Sequence, residues 1–353
     1  MSADAGAIAV PSRATAAHSE GVWYAAWRRY RSDRVGVVSL VVVLAFLLLI
    51  VLSATGVVAR DWQREVGVAY APPVFMGPAP PEAIGAIETP KGPNVDLSAV
   101  DPLAPRYAEW AERAKQFATA EVKKADTLPF GGDRLGRDVL SKAIKGTEIS
   151  VFVGVLAALV ATTLGTLLGA AGGFFGGKVG DFLEWGYNVF ESIPGILLIF
   201  AFAAVFGRGI GTVVLILGLT GWTGLYRQVR AEFMKHRSRE YVRAAEAIGA
   251  SMSSRMFRHI LPNISHVILV RMGLLVVGFI KAEVILSYLG LGVPVDRVSW
   301  GTMLAEAQSE LILGHWWQLV AATVMMCVFV TAFSLMADAW RDALDPKLRG
   351  VAE

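Results

Sequence analysis

The sequence is poor in charged residues and nearly without cysteine. Only 18% of its 353 residues are charged, whereas about 25% is usual for a soluble domain, and 54% are hydrophobic. The single cysteine, Cys327, excludes an intrachain disulfide and a metal site built from several cysteines. Its apolar neighbours predict a small buried side chain. A net charge of +3 is too small to indicate nucleic-acid binding. These shortages favour a membrane protein.

Groups that could perform chemistry are also scarce. The five histidines are scattered without metal-ligand spacing, and no Ser/His/Asp or paired-carboxylate arrangement is present. The run Gly172–Val179 (GGFFGGKV) approaches a phosphate-binding loop. However, Val179 stands where a hydroxyl should bind Mg²⁺, and an apolar helix precedes the run where a strand is required. We therefore expect a tight turn here, no enzymatic activity, no cofactor and no bound metal.

Long apolar runs dominate the rest of the chain. A membrane-spanning helix needs about 20 mostly apolar residues. Six segments qualify, although the fourth is short, the fifth carries charges and Pro194-Gly195 interrupts the third: Val35–Val58, Ile149–Gly172, Trp185–Phe206, Ile210–Tyr226, Ile264–Leu289 and Trp316–Ala337. The first is too long for the apolar core of a signal peptide. The sequence therefore predicts an all-α polytopic membrane protein with six transmembrane helices.

Lysine and arginine are distributed unevenly between the short loops, and this bias marks the cytoplasmic face. The cationic segments precede helix one, join helices four and five, and follow helix six, whereas the opposite short loops hold only Arg208 and Arg297. Both termini are therefore expected in the cytoplasm. The chain is expected to divide into a cytoplasmic N-terminal segment (1–34), helix one (35–58), an extracytoplasmic segment (59–148), a five-helix core (149–338) and a cytoplasmic tail (339–353). The core includes a coupling loop (227–263).

Two segments outside the core differ in composition from the rest of the chain. Nine of the 15 prolines lie between Ala71 and Pro105, which favours extended structure, and a charged helix is expected over Arg106–Lys124. This outer segment is either a flexible spacer or a surface for docking a partner. Trp23–Arg34 alternates aromatic and basic residues before helix one, which predicts an interfacial helix on anionic membrane lipid.

The cytoplasmic loop Glu240–Asn263 (EYVRAAEAIGASMSSRMFRHILPN) is the most specific segment. Ala244, Ala245 and Ile248 form a small apolar helix face that would let another protein approach closely. Gly249 can end this helix with a left-handed turn, and Pro262 can start a following helix. The pattern predicts two short helices joined at a glycine. A solvated basic loop is the alternative, but it does not explain the paired alanines.

This loop resembles the signature loop of importer-type ABC permeases, through Ala244-Ala245-x-x-x-Gly249 and His259-Ile-Leu-Pro262-Asn263, with Arg243 where that family usually has glutamate. The resemblance implies a coupling helix that inserts into a groove on an ATPase subunit. The implied coupling residues are Tyr241, Arg243, Ala244, Ala245, Gly249, Ala250, Ser251, Met252 and Pro262.

Further blocks are similar to the oligopeptide/dipeptide permease subgroup: Gly131–Leu140 (GGDRLGRDVL), Leu286–Val293 (LSYLGLGV), Ser299-Trp300-Gly301 and Arg341–Pro346 (RDALDP). These blocks do not cover the outer segment, which is longer than is usual in this subgroup and in its length resembles the branch that imports microcin-type peptides. The resemblance implies a second permease subunit, two ATPase subunits and an extracytoplasmic solute-binding protein. It also implies uptake by alternating access, with ATP hydrolysed on separate chains. The cargo within this family ranges from peptides to antibiotics and nickel chelates.

Small and charged residues inside the helices allow two interpretations each. Gly165, Gly169, Gly173 and Gly177 repeat at four-residue spacing, for packing within the chain or against a second subunit. Glu191, beside Pro194, and Glu283 are candidates for the translocation path or for structural pairing. These two carboxylates also support the alternative function, an autonomous channel or secondary transporter. That alternative leaves the protruding Ala-Ala loop unexplained.

Overall fold

The computed structural model describes residues 22–78, 101–116, 124–294 and 296–344. Regular secondary structure in these ranges is helical, with four isolated β-bridges and no strand. The α-helices are α1 Val22–Ser32, α2 Arg34–Ala54, α3 Tyr107–Gln116, α4 Val139–Phe175, α5 Gly177–Glu191, α6 Gly195–Phe206, α7 Ile210–Thr220, α8 Thr223–Arg237, α9 Glu240–Ala247, α10 Met252–Ser254, α11 Leu261–Tyr288, α12 Trp300–Ile312 and α13 Trp317–Leu344.

Three helices in these ranges are long and apolar enough to cross a membrane: α2, α4 and α13. Two bent pairs, α5 with α6 and α7 with α8, raise the number to five if each pair forms one broken span. Helix α11 has 28 residues, carries Arg271, Lys281 and Glu283, and is not among these spans. The all-helical membrane architecture is confirmed, whereas the count of six spans stays a prediction.

The structure confirms the interruption expected at Pro194-Gly195, whereas the bend between α7 and α8 was not predicted. Helices α5 and α6 meet at 84°, and α5 begins at Gly177 instead of Trp185. Pro194 explains the break, because proline lacks the N–H that a continuous helix requires and disfavours helical geometry in the preceding residue. Helices α7 and α8 meet at 41°. Their break lies at Gly221. An added Cβ there would lie 2.3 Å from the Phe279 ring, so only glycine lets the backbone pass this close to the ring.

The other spans are longer than their apolar runs. Helix α4 starts at Val139, ten residues before the expected Ile149, because Asp138 caps its first turn by accepting from the Ser141 amide at 3.0 Å. Helix α13 continues past Ala337 to Leu344, since Ala339, Ala343 and Leu344 bury their side chains against α1. The expected spans Ile149–Gly172 and Trp316–Ala337 therefore correspond to parts of longer helices, and the divisions at residues 148 and 338 stay a prediction.

Helix α4 lies at the centre of the subunit and uses glycine to approach α8. A Cβ at Gly165, Gly169 or Gly173 would come within 2.8, 2.7 and 2.5 Å of the carbonyl oxygens of Trp222, Tyr226 and Arg230. This confirms packing within the chain for three of the four glycines. Gly177 does not belong to this face, because it starts α5 with φ +49° and has open space around its Cα.

Two described stretches of the outer segment fold against each other. Residues 65–74 pair with residues 125–138 through isolated bridges and backbone hydrogen bonds, such as Gly67 N to Gly136 O at 2.9 Å. Gly136 has φ +77°, and a Cβ there would lie 2.0 Å from the Gly67 oxygen. These stretches are therefore not a free spacer. Residues 79–100 and 117–123, which hold most of the proline-rich run and the end of the expected helix Arg106–Lys124, lie outside the described residues.

The sequence analysis predicts no element between the last two spans, yet α12 forms there. Ser299 caps it by accepting from the Thr302 amide at 3.2 Å, and Thr302 Oγ1 accepts from the Ser299 amide at 2.9 Å. The Trp300 side chain is fully buried and its Nε1–H donates to the Ala143 carbonyl oxygen of α4 at 3.2 Å. Helix α12 is thus fastened to the outer end of the core.

Two side-chain expectations need correction. Cys327 is exposed on α13, so its apolar neighbours in sequence do not bury it. The amphipathic helix before the first span exists as α1, but Ala26 and Tyr30 are buried against the end of α13, where Tyr30 stacks on Trp340 with ring centroids 4.7 Å apart. Tyr24 and Trp27 remain exposed and available to the membrane surface.

Candidate functional site

The turn after α9 forms as the sequence predicts. The Ala250 amide donates to the Ala245 carbonyl oxygen and the Gly249 amide donates to that of Glu246, both at 2.9 Å. This pair of bonds is a Schellman motif, and Gly249 takes the required left-handed conformation with φ +87°. No side chain lies within 4 Å of a Cβ placed on Gly249, so the backbone conformation alone selects glycine.

Three large apolar side chains surround this turn on the exposed side. Ile248 is 86% exposed, Met252 is 58% exposed, and Tyr241 is also exposed. Together they form an exposed apolar group at the turn, which is a candidate interaction surface. Arg243 and Ala244 share the exposed side of α9, and Ala250 is half-buried. Ile248 belongs to the apolar face predicted from the sequence, but it is not among the coupling residues that the family resemblance implies.

Ala245 does not lie on the exposed side. It is 4% exposed, next to the equally buried Val242, so a partner's groove does not reach it in this conformation. The reason is the phase of α9, because residues 242 and 245 are three apart and point toward the subunit together. The expected Ala-Ala contact face is therefore half wrong, with Ala244 outside and Ala245 inside.

The second helix of the loop begins earlier than expected. Ser251 caps α10 by accepting from the Ser254 amide at 3.3 Å, and a π-helical turn over Arg255–Ile260 joins α10 directly to α11. Pro262 lies near the start of α11 within this continuous helical run. It does not begin the helix, because capping at Ser251 has already supplied acceptors for the first free amides. The wider π turn accommodates the proline.

The coupling segment, residues 240–260, is firmly seated on the core. Val242, Met256 and Ile260 join a buried cluster with Phe174 of α4 and Phe233 of α8. Arg255 pairs with Glu246 and lies over the Phe174 ring at 5.5 Å. The segment is therefore packed against α4, α8 and α11 and is not a loose loop.

The intramembrane carboxylates have different surroundings. Glu283 is completely buried and accepts hydrogen bonds from Ser150 at 2.8 Å and Ser287 at 2.7 Å. Those serines also accept from the Trp300 and Val293 amides, so Glu283 ties α4, α11 and the start of α12 together. It does not line a path in this conformation, which favours the structural alternative. Glu191 and Pro194 are exposed at the α5–α6 break.

A buried ionic cluster near the start of α4 was not predicted from the sequence. Lys142 Nζ lies 2.7 Å from Asp133 and 2.6 Å from Glu306, and Gln318 binds both Lys142 and Glu306. Arg137 pairs with Asp133 at 2.6 Å. Burial alone would raise the pKa of Asp133, but the Lys142 and Arg137 contacts outweigh it and lower that pKa. The only signal was the Gly131–Leu140 block, because Glu306 and Gln318 are 164 and 176 residues away from Lys142.

Comparison with known proteins places this architecture in a family. Residues 150–350, more than half of the chain, match the model for the binding-protein-dependent transport system inner membrane component, and residues 21–73 match the N-terminal transmembrane domain of oligopeptide transport permease C. The chain belongs to the binding-protein-dependent transport permeases. The expected family membership is confirmed, and the matched region contains α5–α13, the coupling segment and most of α4.

Curated relatives of this permease carry transport names. It is 33% identical over 252 residues to the oligopeptide transport system permease protein OppC of Bacillus subtilis (strain 168), covering 70% of this chain and 81% of the relative. It is 39% identical over 220 residues to OppC of Escherichia coli (strain K12), covering 62% and 72%. The dipeptide transport system permease protein DppC of Bacillus subtilis is 37% identical over 220 residues, covering 62% and 69%. These matches support a multi-pass permease subunit of an ABC importer, and not an autonomous channel or secondary transporter.

Proposed function

We propose that this permease imports peptides or peptide-like compounds. Three relatives are named for oligopeptide or dipeptide transport, and both family matches point to the same class of system. In this proposal the subunit pairs with a second permease, two ATPases bind the coupling side, and a solute-binding protein delivers cargo on the other side. ATP is hydrolysed on the ATPases, because this chain offers Val179 in place of the hydroxyl that Mg²⁺ requires.

The exposed turn with Ile248 is the observation that carries the proposal. It presents apolar surface at an end of the subunit where a partner is needed to cover it, and its underside is packed on the core. Closure of an ATPase pair would displace this turn. The displacement would reach α4, α8 and α11 and open the path alternately to each side. Such coupling requires that ATP binding shift the equilibrium between the arrangement open to one side and the arrangement open to the other. Ala245 supports this element from inside.

Six spans with both termini on the coupling side complete the proposed topology. Helix α11 supplies the remaining span, the fifth in chain order, because 28 residues at about 1.5 Å each exceed the roughly 30 Å hydrocarbon thickness. The bent pairs each count once. Glu191 and Pro194 are then candidates for the path, because the broken span exposes them and broken helices in membranes are tolerated where they line a cavity. α1 would rest on membrane lipid through Tyr24 and Trp27.

The first prediction tests the turn by replacing Ile248 with aspartate. Replacing the isoleucine with a carboxylate removes about 1.5–3 kcal/mol of favourable free energy from burial of this side chain at the contact. The affinity for the ATPase subunits should therefore fall about tenfold or more. The measurement is the amount of ATPase that copurifies with the tagged permease and the cargo uptake of the reconstituted complex. Insertion and thermal stability should be unchanged, because Ile248 makes no buried contact in this subunit.

Ile312→Asp is the matched control, since Ile312 is 84% exposed at the end of α12 and lies away from the coupling segment. It should retain the parental amount of ATPase. If Ile248→Asp also retains ATPase and uptake, the coupling assignment is wrong. Ala245→Glu is unsuitable for this purpose, because it would bury an unpaired carboxylate inside the subunit and disturb folding.

A further inference from the structure

A cationic cavity lies close to the coupling segment and has no role in the coupling mechanism. It measures about 360 Å³ and is walled by α8, α11 and the end of α13. Its polar lining consists of Arg271, Arg341, His266 and Gln228, and no carboxylate is among the residues that line it. The cavity therefore offers hydrogen-bond donors and positive charge, which is the chemistry of an oxyanion site.

Arg271 is held in this cavity without a counter-ion among the described residues. It forms no ion pair or side-chain hydrogen bond with the described residues, and its buried Nε has no hydrogen-bond partner among them. Gly224 of α8 makes room for the guanidinium, because a Cβ at that position would lie 2.7 Å from Nη2. With α11 as a membrane span, as in the proposed function on which this step rests, an arginine without a described counter-ion is costly, so the arrangement indicates a ligand that supplies the missing negative charge.

An apolar groove continues from the cavity between α11 and α13. It measures about 280 Å³ and shares Val270 and Leu344 with the cavity. Its walls include Gly273, Val276 and Phe333, and they expose almost no polar atoms. Cavity and groove together match one molecule with an anionic head and a hydrocarbon tail.

We propose that Arg271 and Arg341 bind the phosphate of an anionic phospholipid, with one acyl chain lying along the groove between α11 and α13. His266 and Gln228 donate further hydrogen bonds to the head group. A free phosphate or a carboxylate would satisfy the arginines equally well, but neither would fill the groove. The bound lipid neutralises Arg271 at membrane depth and holds α8, α11 and the end of α13 together beside the coupling segment.

The experiment measures lipid retention by the full-length permease with its copurifying subunits. The detergent-purified protein is stripped of lipid and titrated with palmitoyl-oleoyl phosphatidylglycerol, with phosphatidylcholine of the same chains, or with inorganic phosphate. Native mass spectrometry then counts the bound lipids. Phosphatidylglycerol should be retained in preference to phosphatidylcholine. Arg271→Gln and Arg341→Gln should each lower that retention about fivefold, which corresponds to the usual gain per basic residue near an anionic lipid.

Three further variants separate this site from general surface charge and from misfolding. Lys235→Gln removes an exposed positive charge from α8 and should retain the parental amount of lipid. Arg271→Lys keeps the charge and should retain most of it. Val270→Trp keeps both arginines but fills the start of the groove, and it should lose phosphatidylglycerol.

Three results would overturn the lipid assignment. If Lys235→Gln loses as much lipid as the arginine variants, only surface charge is involved. If Val270→Trp retains the parental amount while inorganic phosphate displaces phosphatidylglycerol, the cavity is a site for free anions. If the Arg271→Gln/Arg341→Gln double variant retains as much phosphatidylglycerol as the parent, the proposed lipid site is wrong.

Discussion

Glu310 shows how a single residue depends on the charge balance around it. It is 1% exposed on α12, and its Oε1 accepts from the Arg134 amide at 3.3 Å while its Oε2 has no partner. The neighbouring cluster is already neutral, because Asp133 and Glu306 balance Arg137 and Lys142. Burial, only partly offset by Lys142, raises the pKa of Glu310 to about 7. This part of the permease therefore holds a carboxyl whose pKa is raised toward neutral pH.

We predict that this carboxyl makes the outer end less stable as pH rises. Its folded pKa is above the ordinary value of 4.5, so its contribution is complete below pH 4.5 and is lost as pH rises through about 7. The slope is at most about 1.4 kcal/mol per pH unit. Glu310→Gln mimics the protonated form and should melt at a higher temperature than the parent at pH 8 and at the same temperature at pH 4.5.

The measurement is thermal unfolding of the purified permease complex across this pH range. Glu109→Gln, on the exposed face of α3, removes a carboxylate that pairs only at the surface and should leave the pH profile as in the parent. A parental profile in Glu310→Gln would show that Glu310 is ionised in the folded protein.

At the scale of elements, the contact between α4 and α8 depends on the absence of side chains. Gly165, Gly169 and Gly173 follow one face of α4, and the α8 backbone and its preceding residue lie directly against them. Small residues at this spacing replace the hydrophobic effect, which does not drive association within lipid, by close backbone contact. Since α8 leads into the coupling segment, this contact also connects that segment to the centre of the subunit.

Gly169→Ala should destabilise the permease by about 1–3 kcal/mol, as overpacking of a well-packed contact does. The reason is that the new Cβ would lie 2.7 Å from the Tyr226 carbonyl oxygen, a backbone atom that cannot move alone. Gly186→Ala on α5 is the control, because nothing lies within 4 Å of its Cβ position. That change should be neutral or slightly stabilising, since alanine favours a helix over glycine by about 1 kcal/mol.

Denaturation of the two variants beside the parent checks this prediction. Equal stability of Gly169→Ala and Gly186→Ala would mean that α4 and α8 do not touch as closely as the structure places them.

For the whole molecule, the distribution of charge and the folded outer stretches agree on one arrangement in the membrane. The basic coupling segment follows α8, whereas the stretches 65–74 and 125–138 pair at the other end of α4. A chain with α4 as a span must place these two regions on opposite sides. The bias of positive residues predicts that the coupling side faces the cytoplasm.

Single cysteines test this orientation in a Cys327→Ala background, which is needed because Cys327 is exposed. Arg64→Cys, at a side chain that is 71% exposed, should react with an impermeant thiol reagent added to intact cells. Ser238→Cys, after α8, should react only once the membrane is permeabilised. Labelling of both positions in intact cells would contradict the topology.

The amino-acid sequence by itself determined what depends on neighbouring residues. Runs of apolar residues predicted the membrane class and the positions of most helices, since burial in lipid needs only length and composition. Gly249 predicted its own turn, because positive φ is a property of one residue. Pro194 predicted the break beside it for the same local reason.

Tertiary structure decided everything that depends on residues distant in the chain. The phase of α9 against the core buries Ala245 and exposes Ile248, and serines from α4 and α11 enclose Glu283. The Lys142 cluster needs Glu306 and Gln318 from helices more than 150 residues later. No local pattern contains these contacts, because burial and pairing are set by which helices pack together, and that choice is made by the free energy of the whole fold.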